Sequence, residues 1–167
     1  MLNVLFLCTH NSARSILAEA LLNHMDAQSP MPGRFRAYSA GSSPRENQQP
    51  HPLALEVLRQ AGVSTDGLRS KGWEVFSGPD APTMDLIITV CDNAAGETCP
   101  LWPGHPATAH WGYPDPSEGD APQAQKREAF RQTLHAISQR LKLLMSLPPE
   151  KLQKALLQDA ARGLSAL

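Results

Sequence analysis

The apolar residues fall into two kinds of run. Some are short and continuous. Asn3–Leu7 carries Val4-Leu5-Phe6-Leu7, and the stretch from Met84 reads Met84-Asp85-Leu86-Ile87-Ile88-Thr89-Val90. Continuous apolar character over so few residues predicts strands buried on both faces. Two shorter strands are expected at Phe35–Ser39, closed by Ala40-Gly41, and at Ala107–His110. Other apolar residues recur at helical spacing. Ile16, Leu17, Ala20, Leu21 and His24 predict a helix over Ser12–Met25. Leu53, Val57 and Leu58 predict a second over Pro52–Ala61, with Gly62 as its cap. Phe130, Leu134, Ile137, Leu141 and Leu144 form the stripe of a long amphipathic helix over Ala121–Met145. Pro148-Pro149 breaks it, and Glu150–Ala161 reads as one more helix. Pro30–Gly33 is a loop, and a loop at Ser70-Lys71-Gly72-Trp73 leads into a short helix ending at Phe76.

Strands alternating with helices predict an α/β fold: a three-layer open parallel sheet of about four strands with helices on both faces. The expected division is a domain over 1–147 and a C-terminal helical extension over 148–167, which would cover apolar surface or mediate a dimer. In open parallel sheets ligands bind beyond the carboxyl ends of the strands. Cys8 follows the first strand and Cys91 follows the Leu86–Val90 strand, so both are expected at that edge.

Composition narrows the partners. The chain has 167 residues, enough for one domain with a sizeable core, and a formal net charge of −1. That balance suggests neither nucleic acid nor an anionic membrane. The apolar run Leu2–Leu7 is far too short for a membrane span or a signal-peptide core. A soluble, cytoplasmic protein is expected. Its three cysteines, an odd number, fit reactive thiols in a reducing compartment better than structural disulfides.

The chemistry concentrates in Cys8-Thr9-His10-Asn11-Ser12-Ala13-Arg14-Ser15, a tight loop between strand and helix. Successive backbone N–H groups in such a loop form an anion-binding concavity, and the helix N-terminus adds partial positive charge. Arg14 can clamp two oxygens of a tetrahedral oxyanion with its planar fork. The same field favours the Cys8 thiolate, a nucleophile at neutral pH. The alternative is a buried strand-end cysteine that merely packs; an arginine six places on, at a strand-to-helix junction, favours chemistry.

This loop resembles the oxyanion loop of the low-molecular-weight protein tyrosine phosphatase superfamily, which includes phosphatases and arsenate reductases. The resemblance covers about Leu2 to Leu147, with motifs at Cys8–Ser15, Cys91–Cys99 and Trp111–Pro116. Cys91 and Cys99 are eight residues apart. On an intact helix that is about 12 Å of rise, whereas a disulfide needs Cα atoms within about 7 Å. Spacing alone leaves open two unrelated packing thiols. Three cysteines so arranged resemble the arsenate reductase branch. That likeness implies Cys8 as nucleophile, Cys91 as first resolving thiol and Cys99 as second, with thioredoxin or glutathione and glutaredoxin as the external reductant.

Asp115 lies in Trp111-Gly112-Tyr113-Pro114-Asp115-Pro116 and matches the superfamily's aspartate-proline general acid; an ordinary Asp-Pro turn is the other reading. Ser117-Glu118-Gly119 follows it, where the phosphatase branch often carries tyrosines. Asn11 and Ser15 match positions that brace the loop. Asn11, Glu19 and Ser39 match three ligands of a potassium site found beside the loop in some arsenate reductases. Arg69 and Lys71 stand where the remaining ligands belong, so the Lys71 ammonium is expected to replace the ion, unless Lys71 is a solvated surface residue. No metal site and no cofactor are expected. His10 is read as a tolerated variable position, and Trp73, Trp102 and Trp111 as core anchors. The implied activity is arsenate reduction. A phosphatase acting through a Cys8 phosphocysteine, or a noncatalytic oxyanion-binding module, are the alternatives.

Overall fold

The computed structural model describes residues 1–76, 78–90, 106–152 and 161–164. Four strands form one sheet: β1 (Leu2–Cys8), β2 (Phe35–Gly41), β3 (Leu86–Thr89) and β4 (Ala107–His110). Their order is β2-β1-β3-β4 and every pair is parallel. The chain therefore leaves β1 toward β2 on one side and later adds β3 and β4 on the other. This makes the gap between the carboxyl ends of β1 and β3 a topological switch point. In that register Cys8 stands opposite Gly41 and Leu7 opposite Thr89.

β1 is apolar throughout because both its faces are covered. Val4, Phe6 and Cys8 join the larger core with three helices: α1 (Arg14–Gln28), α2 (Pro52–Gln60) and α3 (Gln123–Met145). Leu5 and Leu7 point to the opposite face, where Ala40, Ile87, Met84 and Phe76 complete a smaller core. Phe76 comes from a 3-10 turn, Trp73–Phe76, as the short-helix expectation has it.

Each helix has identifiable causes. α1 begins at Arg14 rather than Ser12, because the preceding residues are spent on the loop. It is buried more widely than one stripe: Ala18 and Leu22 are covered along with Ile16, Leu17, Ala20 and Leu21. α2 starts with Pro52 after an N-cap at His51, whose ring nitrogen accepts from the Leu53 N–H at 3.1 Å. It ends in a Schellman motif. Val63 N–H reaches Leu58 C=O at 2.9 Å and Gly62 N–H reaches Arg59 C=O at 3.0 Å. Gly62 takes φ +77°, which a β-carbon would strain. α3 buries Phe130, Ile137, Leu141 and Leu144, with Leu134 partly covered.

The ends of α1 and β2 are tied by side chains. The Asp26 carboxylate accepts from the backbone N–H groups of Gly33, Arg34 and Phe35 at 2.8, 3.1 and 3.1 Å. Asn23 pairs both ways with the backbone of Ala37, at 2.8 and 3.1 Å. β2 is an edge strand, and such an amide covers groups that would otherwise be exposed to another chain.

Past α3 the chain forms a 3-10 turn, Pro149–Leu152, where the extra helix is expected to begin. Residues 161–164 are helical, and Ala161 is buried in the larger core. Among the described residues no helix is long and apolar enough to cross a membrane.

Candidate active site

The loop after β1 is held by its carbonyls. Those of Cys8, Thr9 and Ser12 accept backbone N–H groups of Ser42, Ser43 and His51 at 2.9, 2.8 and 2.8 Å. That of Asn11 accepts the Ser70 hydroxyl at 2.5 Å. The N–H and C=O of a trans peptide point in opposite directions. The N–H groups of Thr9, His10, Ser12 and Ala13 therefore point away from those partners, into the cleft these residues line. The N-terminus of α1 lies at the same place. Its N-cap, Ala13, supplies no side-chain cap and its first turn has no acidic residue. A loop of inward N–H groups meeting a helix N-terminus is an oxyanion cradle.

Two residues shape it. Gly41, opposite Cys8, lets the loop cross directly over β2; a β-carbon there would lie 2.7 Å from the Thr9 carbonyl oxygen. Asn11 is fully buried at φ 55°, a conformation asparagine tolerates better than most residues. Its amide donates to the Ser15 hydroxyl at 2.8 Å and accepts from the Lys71 N–H at 3.0 Å. Asn11 and Ser15 are thus braces of the loop.

Arg14 reaches across the cleft. One terminal nitrogen donates to the Tyr113 carbonyl at 2.8 Å, and the other stands 3.9 Å from the Asp115 carboxylate. Its Nε is buried with no hydrogen-bond partner. A buried guanidinium N–H with no acceptor is costly, so an oxygen that reached it would be bound favourably. Asp115 forms the far wall. Burial is the largest influence on its carboxyl and opposes ionisation. The Ser117 hydroxyl and N–H, at 2.7 and 2.9 Å, together with Arg14 and His51, outweigh burial and hold Asp115 below its ordinary range.

Cys8, the loop, Arg14 and Asp115 line a cleft of about 570 Å³. Its third wall is the segment from Arg45 to Pro52. No residue of this wall carries a motif. The signal available was positional: it follows a parallel strand's carboxyl end, and Pro52 marks a helix start just behind it. His51 matters most there. Its ring packs 4.9 Å from that of Phe130. Burial chiefly lowers its pKa, Asp115 opposes that, and Lys126 adds to it. His10, read as a variable position, also lines the cleft, with Nδ1 3.0 Å from the Ser43 carbonyl.

Beneath the loop, Ser39 donates its hydroxyl to Glu19, and the Lys71 ammonium stands 3.8 Å from the Glu19 carboxylate. Lys71 also donates to the Arg69 carbonyl at 2.9 Å. Its side chain is 10% exposed and that of Glu19 15%, so Lys71 is no solvated surface residue. Burial raises the Glu19 pKa against the influence of Ser39, Lys71 and Arg69. Burial likewise lowers that of Lys71, against Glu19.

Cys91 and Cys99, with Trp102, lie outside the described residues. The last described residue before Cys91 is Val90, fully buried, whose N–H donates to the Leu7 carbonyl at 2.8 Å.

Comparison with known proteins agrees with this geometry. The family described as low molecular weight phosphotyrosine protein phosphatase matches residues 3–158. The arsenate reductase of Bacillus licheniformis is 31% identical over 139 residues, covering 83% of this chain and 91% of its own. A crystal structure of arsenate reductase from Archaeoglobus fulgidus superposes with a TM-score of 0.63 at 28% identity, covering 86% of this chain and 99% of that one. A thioredoxin-dependent arsenate reductase of Corynebacterium glutamicum gives 0.54 at 28% identity, covering 86% of this chain and 63% of that one.

Proposed function

The chain belongs to the low molecular weight phosphotyrosine protein phosphatase family, and from that premise we propose that it is a cytoplasmic arsenate reductase working through a relay of Cys8, Cys91 and Cys99. The observation that carries the relay is the pairing of β1 with β3. The Val90 N–H on the Leu7 carbonyl sets the residue before Cys91 beside the residue before Cys8. Arsenate reductase relatives at about this level of identity along most of the chain support the substrate.

Arsenate binds with its oxygens on the loop N–H groups and on Arg14, whose partnerless Nε supplies a donor. Its negative charge competes for the Arg14 guanidinium and raises the Asp115 carboxyl, which then carries the proton for the departing oxygen. The Cys8 thiolate attacks arsenic, water leaves, and an S–As(V) adduct remains. The Cys91 thiolate attacks the Cys8 sulfur. The S–As bonding pair stays on arsenic, arsenite leaves as As(III), and a Cys8–Cys91 disulfide forms. Cys99 then attacks Cys91, releasing the Cys8 thiolate and leaving Cys91–Cys99 for an external dithiol. A thioredoxin-dependent relative favours thioredoxin over glutathione and glutaredoxin as that donor.

Beneath the site, Lys71 acts as a built-in cation in the pocket of Asn11, Glu19 and Ser39. This reading is supported by its ion pair with Glu19 and by its backbone bond to Asn11.

The test is arsenite production from arsenate with thioredoxin and its reductase, or with glutathione and glutaredoxin. The wild-type chain should turn over with one system, and Cys8→Ser should form no arsenite with either, because an alcohol is not ionised near neutrality. Residual turnover by Cys8→Ser would overturn the assignment. The family match also supports a second reading, aryl phosphate hydrolysis through a Cys8 phosphocysteine. Phosphatase turnover at full rate in the Cys91→Ser, Cys99→Ser double variant, without arsenite production by wild type, would select it.

A further inference from the structure

The stretch that carries the acid is anchored from an unexpected quarter. Trp111 opens it, four residues before Asp115, and is fully buried. Its backbone N–H donates to the Thr89 carbonyl at 2.7 Å, which continues the sheet beyond β4. Its indole N–H donates to the carbonyl of Ala161 at 3.0 Å. Ala161 is itself fully buried in the larger core, and Leu164 packs against that core. Next along the chain, Arg162 donates from Nε to the Thr108 carbonyl at 3.1 Å and reaches its hydroxyl at 3.4 Å. Thr108 lies on β4, the edge strand opposite β2. The C-terminal segment is thus fastened at two points to the strand that delivers the acid.

The connection runs on to the reacting groups. Two residues past Trp111, the Tyr113 carbonyl receives Arg14 at 2.8 Å. The Tyr113 ring lies under the Arg140 guanidinium of α3 at 4.8 Å. Two residues further, Asp115 faces Arg14 across the cleft. Pro114 and Pro116 flank Asp115, so the backbone between anchor and acid has few ways to absorb a displacement. A buried indole N–H also demands a partner. Losing the Ala161 carbonyl would make Trp111 shift rather than sit unpaired.

We infer that residues 161–164 position the general acid, by holding Trp111 so that Asp115 keeps its aim at the oxyanion cradle. Trp111, Ala161 and Arg162 are positioning residues and touch no substrate. The inference rests on the reading of Asp115 as acid.

The test uses full-length variants. Trp111→Phe removes the indole donor and keeps an aromatic ring in the core. Arg162→Ala cuts the second fastening at an exposed position and guards against a misfolded Trp111→Phe. Both are compared by hydrogen exchange over residues 112–118 and by arsenate turnover, alone and combined with Asp115→Asn. In the folded variants exchange over 112–118 should quicken roughly tenfold while β1 and β3 keep their protection. The kcat should fall by roughly tenfold with little change in KM, as small misplacements of catalytic groups do. In the Asp115→Asn background that fall should vanish, because the brace acts only through the acid. Unchanged exchange over 112–118 would overturn the inference, and so would an equal loss of kcat with Asp115 already replaced. Were Asp115→Asn alone to leave turnover intact, the acid assignment would fail, and exchange would still decide whether the segment braces the loop.

Discussion

At the scale of single residues the proposed mechanism depends on groups that stay unsatisfied until an oxyanion arrives. Arg14 spends one terminal nitrogen on Tyr113 and keeps its buried Nε without an acceptor. In spite of burial, the Ser117 contacts and Arg14 hold the Asp115 carboxyl below its ordinary range, and the proposed role as acid requires a proton that the incoming charge brings back. Asp115→Asn keeps the Ser117 contacts open to an amide oxygen while removing the proton donor. Turnover should drop by roughly 100-fold while the fold is kept and the thermal midpoint falls only slightly, with the charge that Arg14 favours, as steady-state kinetics and calorimetry would record. Lys71 belongs to the same scale. Lys71→Ala leaves Glu19 under the loop without its cation, and breaking a buried pair from one side costs about 3 kcal/mol or more. Urea unfolding should register that loss, and potassium should restore part of it in the variant while leaving the wild type unmoved. A strong potassium response of the wild type would show that Lys71 does not fill the cation's place.

Elements set the geometry those residues inherit. The carboxyl end of β1 delivers Cys8, α1 begins with Arg14, and α2 begins where the cleft's third wall ends. The cap on α2 is an imidazole nitrogen, which accepts the Leu53 N–H only while neutral. Burial keeps it neutral by lowering its pKa from the ordinary 6.5. A folded value below the unfolded one means that the unfolded chain takes up the proton first. Stability contributed by His51 is therefore complete above about pH 6.5 and is lost as pH falls below it. His51→Asn supplies a cap that does not titrate. As pH falls from about 6.5 to about 5.5, the wild type should therefore lose stability relative to the His51→Asn variant. Chemical unfolding of both proteins at each pH measures the difference. At neutral pH, His51→Ala should cost about 1 kcal/mol, the usual worth of a cap.

On the scale of the whole molecule, sheet order turns separate motifs into one site. The relay makes the sharpest demand on it. If Cys91 resolves the adduct, Cys99→Ser should accumulate a Cys8–Cys91 disulfide after one arsenate turnover, and Cys91→Ser should stall without any disulfide between Cys8 and Cys99. Mass mapping of trapped single-turnover samples reads both outcomes. Repeated turnover by Cys91→Ser at the wild-type rate would mean that an external thiol resolves Cys8. Much of this molecule was legible from its residues alone. The four strands, the three main helices, the loop from Cys8 to Ser15 and Asp115 all carry local signatures: continuous apolar runs, helical spacing, a glycine cap, an Asp-Pro step. Such signals need only near neighbours along the chain. The fit of Gly41 beneath Thr9 and the bond from Trp111 to Ala161 carry none, and the wall from Arg45 to Pro52 carries only its position after a strand end. Each is a contact between segments far apart in sequence, decided by which strand lies beside which, and burial and hydrogen-bond pairing across that distance exist only once the sheet has formed.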